Sequence, residues 1–234
     1  LGTAINTRAI ERQLEIMKEM GVNGVRTAHN PPAPELLELC DKMGFIVMDE
    51  AFDIWKKTKT KYDYGNDWDQ WHKQDLIDQL LRDRKHPSIF VWSIGNEIPE
   101  QWDESGVKIA TELAAITRQY DKTRPLTAAM NPPVNMNIDE VTLQFEKNNV
   151  SINPLAASGV LDLIGYNYAH QTYEHHQKNF PNTPFIATET TSGLQTRGYY
   201  DENSETIKKW PVRWDLKFTD GNPDNTVSAY DQVQ

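Results

Sequence analysis

The stretch that decides the fold is His-Pro-Ser-Ile-Phe-Val-Trp-Ser-Ile-Gly-Asn-Glu, from His86 to Glu97. Its apolar run from Ile89 to Trp92 is too short for a helix and rich in β-forming residues. Such a run predicts a strand buried on both faces, as in a parallel sheet. Asn96 and Glu97 follow at its end, where barrel enzymes with parallel strands place their catalytic groups. Glu97 is therefore a candidate catalytic carboxylate, with a solvated loop acid or a helix-start residue as the alternative.

The segments on both sides of this strand alternate between helix and strand patterns. Helical periodicity predicts helices over residues 8–20, 34–43, 68–84, 107–120 and 172–179. Apolar runs predict the remaining strands over residues 22–27, 45–48, 125–129, 161–165 and 184–188. This order is typical of βαβ units and predicts a parallel sheet of six strands. A doubly wound open sheet also fits, but no glycine-rich phosphate turn follows any strand, which disfavours a nucleotide-binding version.

Three segments carry weaker patterns. Residues 130–154 are rich in Asn and Pro, and we expect an irregular excursion there. Residues 207–214 indicate one more helix, whereas residues 219–234 carry no clear strand signal.

Composition excludes several classes of protein. The net charge of −10 argues against a nucleic-acid partner, whose binders carry basic faces. No window is long and apolar enough for a membrane span, and no signal peptide is identifiable. The lone Cys40 excludes an internal disulfide and indicates a buried core thiol. We expect a soluble protein; its compartment (periplasmic, secreted or cytoplasmic) and a possible homo-oligomer stay open.

Polar residues cluster where the predicted strands end: Arg26, His29, Asn30, Asp49, Glu50, Asn96, Glu97, Tyr166, Tyr168 and Glu189. Parallel strands in a barrel would bring all of these ends to one rim. Two carboxylates that converge there are what glycoside hydrolysis requires, one as acid/base and the other as nucleophile or base. A metal site built from His29, Asp49, Glu50 and Glu97 is the competing hypothesis. No HExxH or paired-histidine spacing supports it, so no metal or cofactor is predicted.

Five motifs together resemble the catalytic barrel of glycoside hydrolase family 2, the family of β-galactosidases, β-glucuronidases and β-mannosidases. In chain order they are Gly24-Val-Arg-Thr-Ala-His-Asn-Pro31, Met48-Asp-Glu-Ala-Phe-Asp53, Arg82-Asp-Arg-Lys-His-Pro-Ser88, Trp92-Ser-Ile-Gly-Asn-Glu97 and Ile186-Ala-Thr-Glu189. The resemblance extends from Leu1 to about Gly193. It implies a (β/α)8 TIM barrel that is incomplete here, because the first and last strands of the family are not identifiable.

The resemblance also implies the domain organisation. We expect residues 1–234 to form a single catalytic barrel domain, a piece of a larger multidomain polypeptide that lacks an initial Met here. The family's flanking β-sandwich domains would belong to the same polypeptide.

Catalytic roles follow from the matched motifs. The family is a retaining one that works through a covalent glycosyl-enzyme. Glu97, which closes the Gly-Asn-Glu motif, would be the acid/base, and Glu189 would be the nucleophile. Asn96 would bond the sugar 2-hydroxyl, a contact that strengthens in the transition state. Tyr168 would orient the nucleophile, with Tyr166 as the alternative.

Further substrate-binding residues are implied with less specific roles. His29 and Asp49 would contact sugar hydroxyls or position the acid/base. Arg26 would pair with a carboxylate of the site, although a purely structural ion pair is the alternative. Residues 51–66 form a long loop with Trp and Tyr residues, and Trp55 is a candidate wall of the sugar site.

The function implied is a retaining exo-β-glycosidase with a carbohydrate substrate, and β-D-galactosides are the first expectation. A β-glucuronidase or β-mannosidase of the same family is the alternative, and a downstream Asn-x-Lys motif would favour a glucuronidase. An endo-acting hydrolase or a non-catalytic glycan-binding barrel also stays open.

Overall fold

Six parallel strands form the sheet that carries the site. They are Gly24–Arg26 (β1), Ile46–Glu50 (β2), Ile89–Asn96 (β3), Leu126–Met130 (β4), Ile164–Asn167 (β7) and Phe185–Glu189 (β8). In the computed structural model, which describes residues 4–131, 133–138, 145–190, 209–211 and 226–228, they pair in the order β1-β2-β3-β4-β7-β8. Every pairing in this sheet is parallel.

Helices connect the strands in the manner of a (β/α)8 barrel. The α-helices are Thr7–Glu19 (α1), Pro34–Met43 (α2), Trp68–Asp83 (α3), Glu104–Tyr120 (α4), Pro154–Ala157 (α5) and His176–Asn179 (α6). Short 3₁₀ helices span Tyr64–Asn66, Pro99–Trp102 and His170–His175. Within the described ranges, no further strand pairs with β1 or β8, so the sheet is an incomplete barrel, as predicted.

Local sequence signals explain where the helices begin and end. The Asn6 side chain accepts a hydrogen bond from the Ala9 N–H at 3.0 Å and caps α1. Pro34 opens α2, and Gly44 ends it in the left-handed conformation with φ of 76°. Asp103 caps α4 by accepting the Ser105 N–H at 2.8 Å, so this helix begins three residues earlier than the apolar periodicity predicts.

The core lies between the sheet and the helices. Val91 and Ile94 of β3 are fully buried, which confirms that this strand is enclosed on both faces. Leu80 of α3 and Leu113 of α4 are fully buried in the same hydrophobic cluster as Ile94. Burying each such side chain stabilises the fold by about 1.5–3 kcal/mol. Cys40 is also buried, and burial raises the pKa of its thiol to about 11, as expected of a core thiol.

The region with weak patterns contains strands that the sequence reading missed. Val134–Ile138 (β5) and Phe145–Ile152 (β6) pair as an antiparallel hairpin, so the prediction of an irregular excursion was wrong. The β5 sequence Val-Asn-Met-Asn-Ile alternates with period two, a strand signal that its Asn content obscured.

The predicted helix over residues 207–214 was also wrong where the structure describes it. Lys209–Pro211 (β9) pairs antiparallel with Thr226–Ser228 (β10), although no strand was expected in the tail. Pro211 is incompatible with a helix interior because it lacks the amide hydrogen that the helix needs. The other residues of these two segments lie outside the described ranges.

In the described part of the chain, each helix is too short or too polar to cross a membrane.

Candidate active site

Side chains from five strands meet at the carboxyl rim of the sheet. They are Arg26 of β1, Glu50 of β2, Asn96 of β3, Asn167 of β7 and Glu189 of β8. Because parallel strands all end at the same rim, residues far apart in the sequence come within hydrogen-bond distance there.

Arg26 is the hub of this cluster. Its Nη1 donates to Glu189 Oε1 at 2.7 Å, and its Nε and Nη2 donate to the two oxygens of Glu50 at 2.9 Å each. Nη2 also donates to Asn96 Oδ1 at 2.8 Å. The guanidinium therefore links two carboxylates and one amide from three other strands, and it fixes their relative positions.

Glu50 is a fully buried carboxylate that holds the cluster together through hydrogen bonds. Besides Arg26, the Ser93 hydroxyl donates to its Oε2 at 2.7 Å, and His29 Nδ1 lies 3.0 Å from its Oε1. These partners compensate for burying the charge. Because its oxygens are engaged, Glu50 holds Arg26 and His29 in place and is not available to a substrate.

His29 is polarised by this contact. The hydrogen bond to Glu50 raises the pKa of His29 above its ordinary value, against the lowering effect of burial. This contact favours the protonated ring, in which Nδ1 donates to Glu50. Its Nε2 lies 3.8 Å from Glu189 Oε1, at the open side of the cluster.

Glu189 receives donors on both of its oxygens. The Tyr168 hydroxyl donates to Oε2, and Arg26 donates to Oε1 at 2.7 Å. Burial raises the pKa of Glu189, but these two hydrogen bonds outweigh it and leave the pKa below its ordinary value. The carboxylate is therefore ionised at neutral pH, as a nucleophile must be.

Glu97 is held by Asn167, a residue that the sequence reading did not select. Asn167 Nδ2 donates to Glu97 Oε1 at 2.9 Å and to Asn96 Oδ1 at 3.1 Å. The Thr188 hydroxyl donates in turn to Asn167 Oδ1 at 2.5 Å, which orients the amide. The only signal for Asn167 in the sequence was its place between two tyrosines at a strand end.

The backbone is strained at two site residues. Glu97 has a φ of 44° and Tyr168 a φ of 49°, in the left-handed region that non-glycine residues avoid. Each conformation costs roughly 1–2 kcal/mol. Backbone hydrogen bonds hold both: Glu97 N–H donates to Ala129 O at 2.8 Å, and Tyr168 N–H donates to Glu189 O at 2.9 Å. Such strain is characteristic of functional sites.

Asn96 connects the rim to the loop that follows β2. Its Oδ1 already accepts from Arg26 and Asn167, and its Nδ2 donates to Asp53 Oδ1 at 3.0 Å. Lys59 Nζ donates to the same Asp53 oxygen at 2.9 Å. Neither Asp53 nor Lys59 was predicted as a site residue. Asp53 closes one of the five motifs, but both residues lie in an irregular loop that has no periodic pattern.

The expected substrate contact of Asp49 was wrong. Successive side chains of a strand point to opposite faces, so Asp49 faces α3 whereas Glu50 faces the rim. Asp49 is 1% exposed and accepts a hydrogen bond from Gln79 at 2.7 Å. Burial and the nearby Asp83 charge raise its pKa well above the ordinary value, which favours the neutral form.

Tyr166 also turns away from the rim, which corrects its assignment as an alternative orienting residue. The side chain is fully buried, its hydroxyl lies 2.8 Å from His176 Nδ1, and burial raises its pKa. His176 is consequently buried too, although it lies in a polar segment of the sequence. Tyr168 is the tyrosine that reaches Glu189.

Trp55 does not form a wall of the site. It is fully buried, its indole Nε1 donates to Ile94 O at 2.7 Å, and its ring lies against Gly95 of β3. The long loop therefore contributes Asp53 and Lys59 to the site rather than this aromatic residue.

The four candidate metal ligands do not converge as a set, although His29 and Glu50 are in contact. Asp49 faces α3, whereas Glu50 is engaged by Arg26. Among the described residues, no group of three or more His, Cys, Asp or Glu side chains is arranged to hold a metal ion.

Comparisons with known proteins show the family of this chain. A family model described as the TIM barrel domain of glycosyl hydrolases family 2 matches residues 1–216. The chain is 47% identical to a β-galactosidase from Bacteroides ovatus over 94% of its own length, and it spans 28% of that relative. It is 34% identical to a putative β-glucuronidase from Formosa agariphila over 86% of its length, and it spans 16% of that protein.

A solved structure is similar as well. A glycosyl hydrolase family 2 member from Bacteroides cellulosilyticus superposes with a TM-score of 0.69 at 37% identity, covering 81% of this chain and 22% of that one. The chain thus spans about a quarter of the length of this structure and of the Bacteroides ovatus relative.

Proposed function

Since the chain belongs to glycosyl hydrolases family 2 as part of its TIM barrel domain, we propose that it carries both catalytic carboxylates of a retaining exo-β-glycosidase. One observation carries this proposal. Glu189 is held ionised by Tyr168 and Arg26, on the same rim on which Asn167 holds Glu97.

Glu189 acts as the nucleophile in the first displacement. One of its oxygens forms a bond to the anomeric carbon while the bond from that carbon to the leaving-group oxygen breaks. Glu97 gives its proton to that oxygen, so the leaving group departs as a neutral alcohol. The product of this step is a covalent glycosyl-enzyme.

Water resolves the intermediate in the second displacement. Glu97, now a carboxylate, takes a proton from the water as its oxygen attacks the anomeric carbon, and Glu189 leaves as a carboxylate. Two inversions at one carbon give net retention of configuration.

The surrounding side chains position the sugar. Asn96 Oδ1 already accepts two N–H groups, and one hydrogen of Asn96 Nδ2 is donated to Asp53. The second Nδ2 hydrogen is therefore the group available to the sugar 2-hydroxyl. Tyr168 and Arg26 orient the nucleophile, and the Nε2 atom of the partly exposed His29 lies 3.8 Å from Glu189 Oε1.

We propose β-D-galactosides as the substrate class. The similarity to a β-galactosidase over 94% of the chain supports this choice, and the similarity to a putative β-glucuronidase makes β-glucuronides the second candidate. We further propose that residues 1–234 form one catalytic domain and that flanking domains of the same polypeptide complete the enzyme.

The first test measures both catalytic roles in the full-length polypeptide. Glu189→Ala and Glu97→Ala are assayed on an aryl β-galactoside with and without azide. Each substitution should lower kcat by at least about 100-fold. Azide should rescue Glu189→Ala by displacing the leaving group directly, and this single inversion gives an α-galactosyl azide. In Glu97→Ala azide should attack the glycosyl-enzyme, and the two inversions give a β-galactosyl azide.

Glu38→Ala is the matched control, since Glu38 is an exposed glutamate on α2. It should retain full activity. Wild-type rates on aryl β-galactoside, β-glucuronide and β-mannoside then rank the substrates. If neither Glu189→Ala nor Glu97→Ala lowers kcat by about 100-fold, the site assignment is wrong. If the β-glucuronide is the best substrate, the galactoside assignment is wrong.

A further inference from the structure

Asp53 stands at the edge of the candidate site without a role in the two displacements. It lies on the loop between β2 and α3, and its Oδ1 accepts a hydrogen bond from Asn96 Nδ2 at 3.0 Å. Asn96 directly precedes Glu97, so Asp53 is one hydrogen bond away from the residue before the acid/base.

Lys59 holds Asp53 in this place. Its Nζ donates to Asp53 Oδ1 at 2.9 Å, to Asp53 O at 2.8 Å and to Asn96 O at 2.8 Å. An ammonium group has three hydrogens, and protein oxygens take all three here. Lys59 therefore fastens the loop to the end of β3.

The other oxygen of Asp53 is free to face a ligand. In the described part of the chain, Oδ2 has no hydrogen-bond partner, and the side chain is 41% exposed. Burial raises the pKa of Asp53, but the hydrogen bonds from Asn96 and Lys59 outweigh it and hold the pKa below its ordinary value. The free oxygen is thus a charged acceptor.

The charge of Asp53 lies on the side of the site that holds the glycone. Its Oδ1 accepts a hydrogen bond at 3.0 Å from Nδ2 of Asn96, the residue assigned to the sugar 2-hydroxyl. A sugar that reaches Asn96 would therefore lie beside the Asp53 carboxylate. Carboxylate oxygens accept from sugar hydroxyls and repel a second carboxylate.

Arg26 and Lys59 have their hydrogen-bond donors engaged by protein oxygens, which leaves His29 as the other basic side chain beside Glu189. Arg26 is engaged by Glu50, Glu189 and Asn96, and Lys59 is engaged by Asp53 and Asn96. Neither presents a hydrogen-bonding face that is free to receive a uronic-acid carboxylate.

We propose that Asp53 is a glycone-binding residue whose free oxygen accepts hydrogen bonds from sugar hydroxyls and selects a neutral hexose over a hexuronic acid. Lys59 is its positioning residue. This assignment rests on the proposed glycosidase function and narrows its substrate class.

The test compares aryl β-galactoside with aryl β-glucuronide in the full-length polypeptide. Asp53→Asn keeps the shape of the side chain and removes its charge. It should lower the ratio of kcat/KM for the galactoside to that for the glucuronide by roughly tenfold or more, mainly through a higher KM for the galactoside. Lys59→Met should raise KM for the galactoside, because the Asp53 carboxylate is released from its place.

Asp69→Asn is the matched control. Asp69 forms an exposed ion pair with Lys56 beside the same loop, so its substitution should leave both kinetic constants unchanged. If Asp53→Asn lowers both kcat/KM values equally, Asp53 only positions Asn96 and the inference is overturned.

Failure of the proposed function gives a different result. If Glu97→Ala and Glu189→Ala retain activity without azide, the catalytic assignment itself falls. If those two variants behave as expected but wild type prefers the glucuronide, the catalytic assignment stands, whereas the galactoside assignment and the role of Asp53 are both overturned.

Discussion

At the residue scale, the site depends on which hydrogen-bond donors each carboxylate receives and on how deeply it is buried. Glu189 receives the Tyr168 hydroxyl on one oxygen and Arg26 on the other, and both donors favour its ionised form. Glu50 receives even more donors but is fully buried, so it serves Arg26 rather than a ligand. Exposure, and not charge alone, separates the proposed nucleophile from the structural carboxylate.

Tyr168→Phe tests the donor on Glu189. Removing a donor to the ionised form raises the pKa of Glu189, so the acid limb of kcat/KM should move to higher pH. We also expect kcat to fall roughly tenfold or more. The measurement is the pH profile of kcat/KM on an aryl β-galactoside.

Tyr62→Phe is the control for this substitution, because Tyr62 is 83% exposed on the same loop as Asp53. Its profile should match wild type. An unchanged acid limb in Tyr168→Phe would show that the hydroxyl does not set the ionisation of Glu189.

At the element scale, β3 and the loop after β2 act as one unit. Trp55 lies over Gly95, and its indole N–H donates to Ile94 O at 2.7 Å, directly before the Asn96-Glu97 pair. A Cβ on Gly95 would lie 2.9 Å from the indole nitrogen. The glycine of the Gly-Asn-Glu motif is therefore required by the packing of Trp55.

Gly95→Ala should destabilise the protein by about 1–3 kcal/mol, since the new methyl group must displace a fully buried indole. Activity should fall with it, because the end of β3 carries Glu97. Urea unfolding followed by tryptophan fluorescence measures the free energy of unfolding.

Gly24→Ala is the matched strand control. Its Cβ would meet Ile46 at an ordinary contact distance of 3.5 Å, so a change within about 1 kcal/mol is expected. Equal stability of Gly95→Ala and wild type would contradict the role assigned to Trp55.

At the scale of the whole molecule, carboxyl groups affect the free energy of unfolding in two opposite ways as the pH changes. Although burial raises the pKa of Asp41, Asp121 and Glu189, hydrogen bonds hold each below its ordinary value. Their contribution is present above the unfolded-state pKa of about 4 and is lost as pH falls through the lower folded-state pKa. Asp49 has a raised pKa, so its contribution is lost as pH rises.

Asp49→Asn isolates this second dependence. Between about pH 4 and the raised pKa of Asp49, only the unfolded state loses the proton, and each pH unit costs about 1.4 kcal/mol of stability. Asparagine resembles the neutral acid and keeps an acceptor for Gln79. Relative to wild type, the variant should therefore gain stability between pH 4 and pH 7.

The free energy of unfolding at several pH values measures this difference. The exposed Asp69→Asn variant should show no such trend, since its side chain is 74% exposed. A constant difference between Asp49→Asn and wild type from pH 4 to pH 7 would mean that Asp49 is ionised in the folded protein.

The sequence by itself determined the order of elements and the strand ends at which Arg26, Asn96, Glu97 and Glu189 lie. These features are local, because periodicity, caps and turn residues act between neighbours in the chain. Five motifs in order also identify the family, since each is a short stretch of sequence.

Only the tertiary structure decided which of two adjacent polar residues faces the rim. Glu50 and Asn167 face it, whereas Asp49 and Tyr166 face the helices. Adjacent strand residues point to opposite faces, and strand pairing with its register shifts selects the face, which sequence position alone does not show. The position of Asp53 also depends on the tertiary structure. Its loop has no periodic pattern, and long-range hydrogen bonds to Asn96 place it.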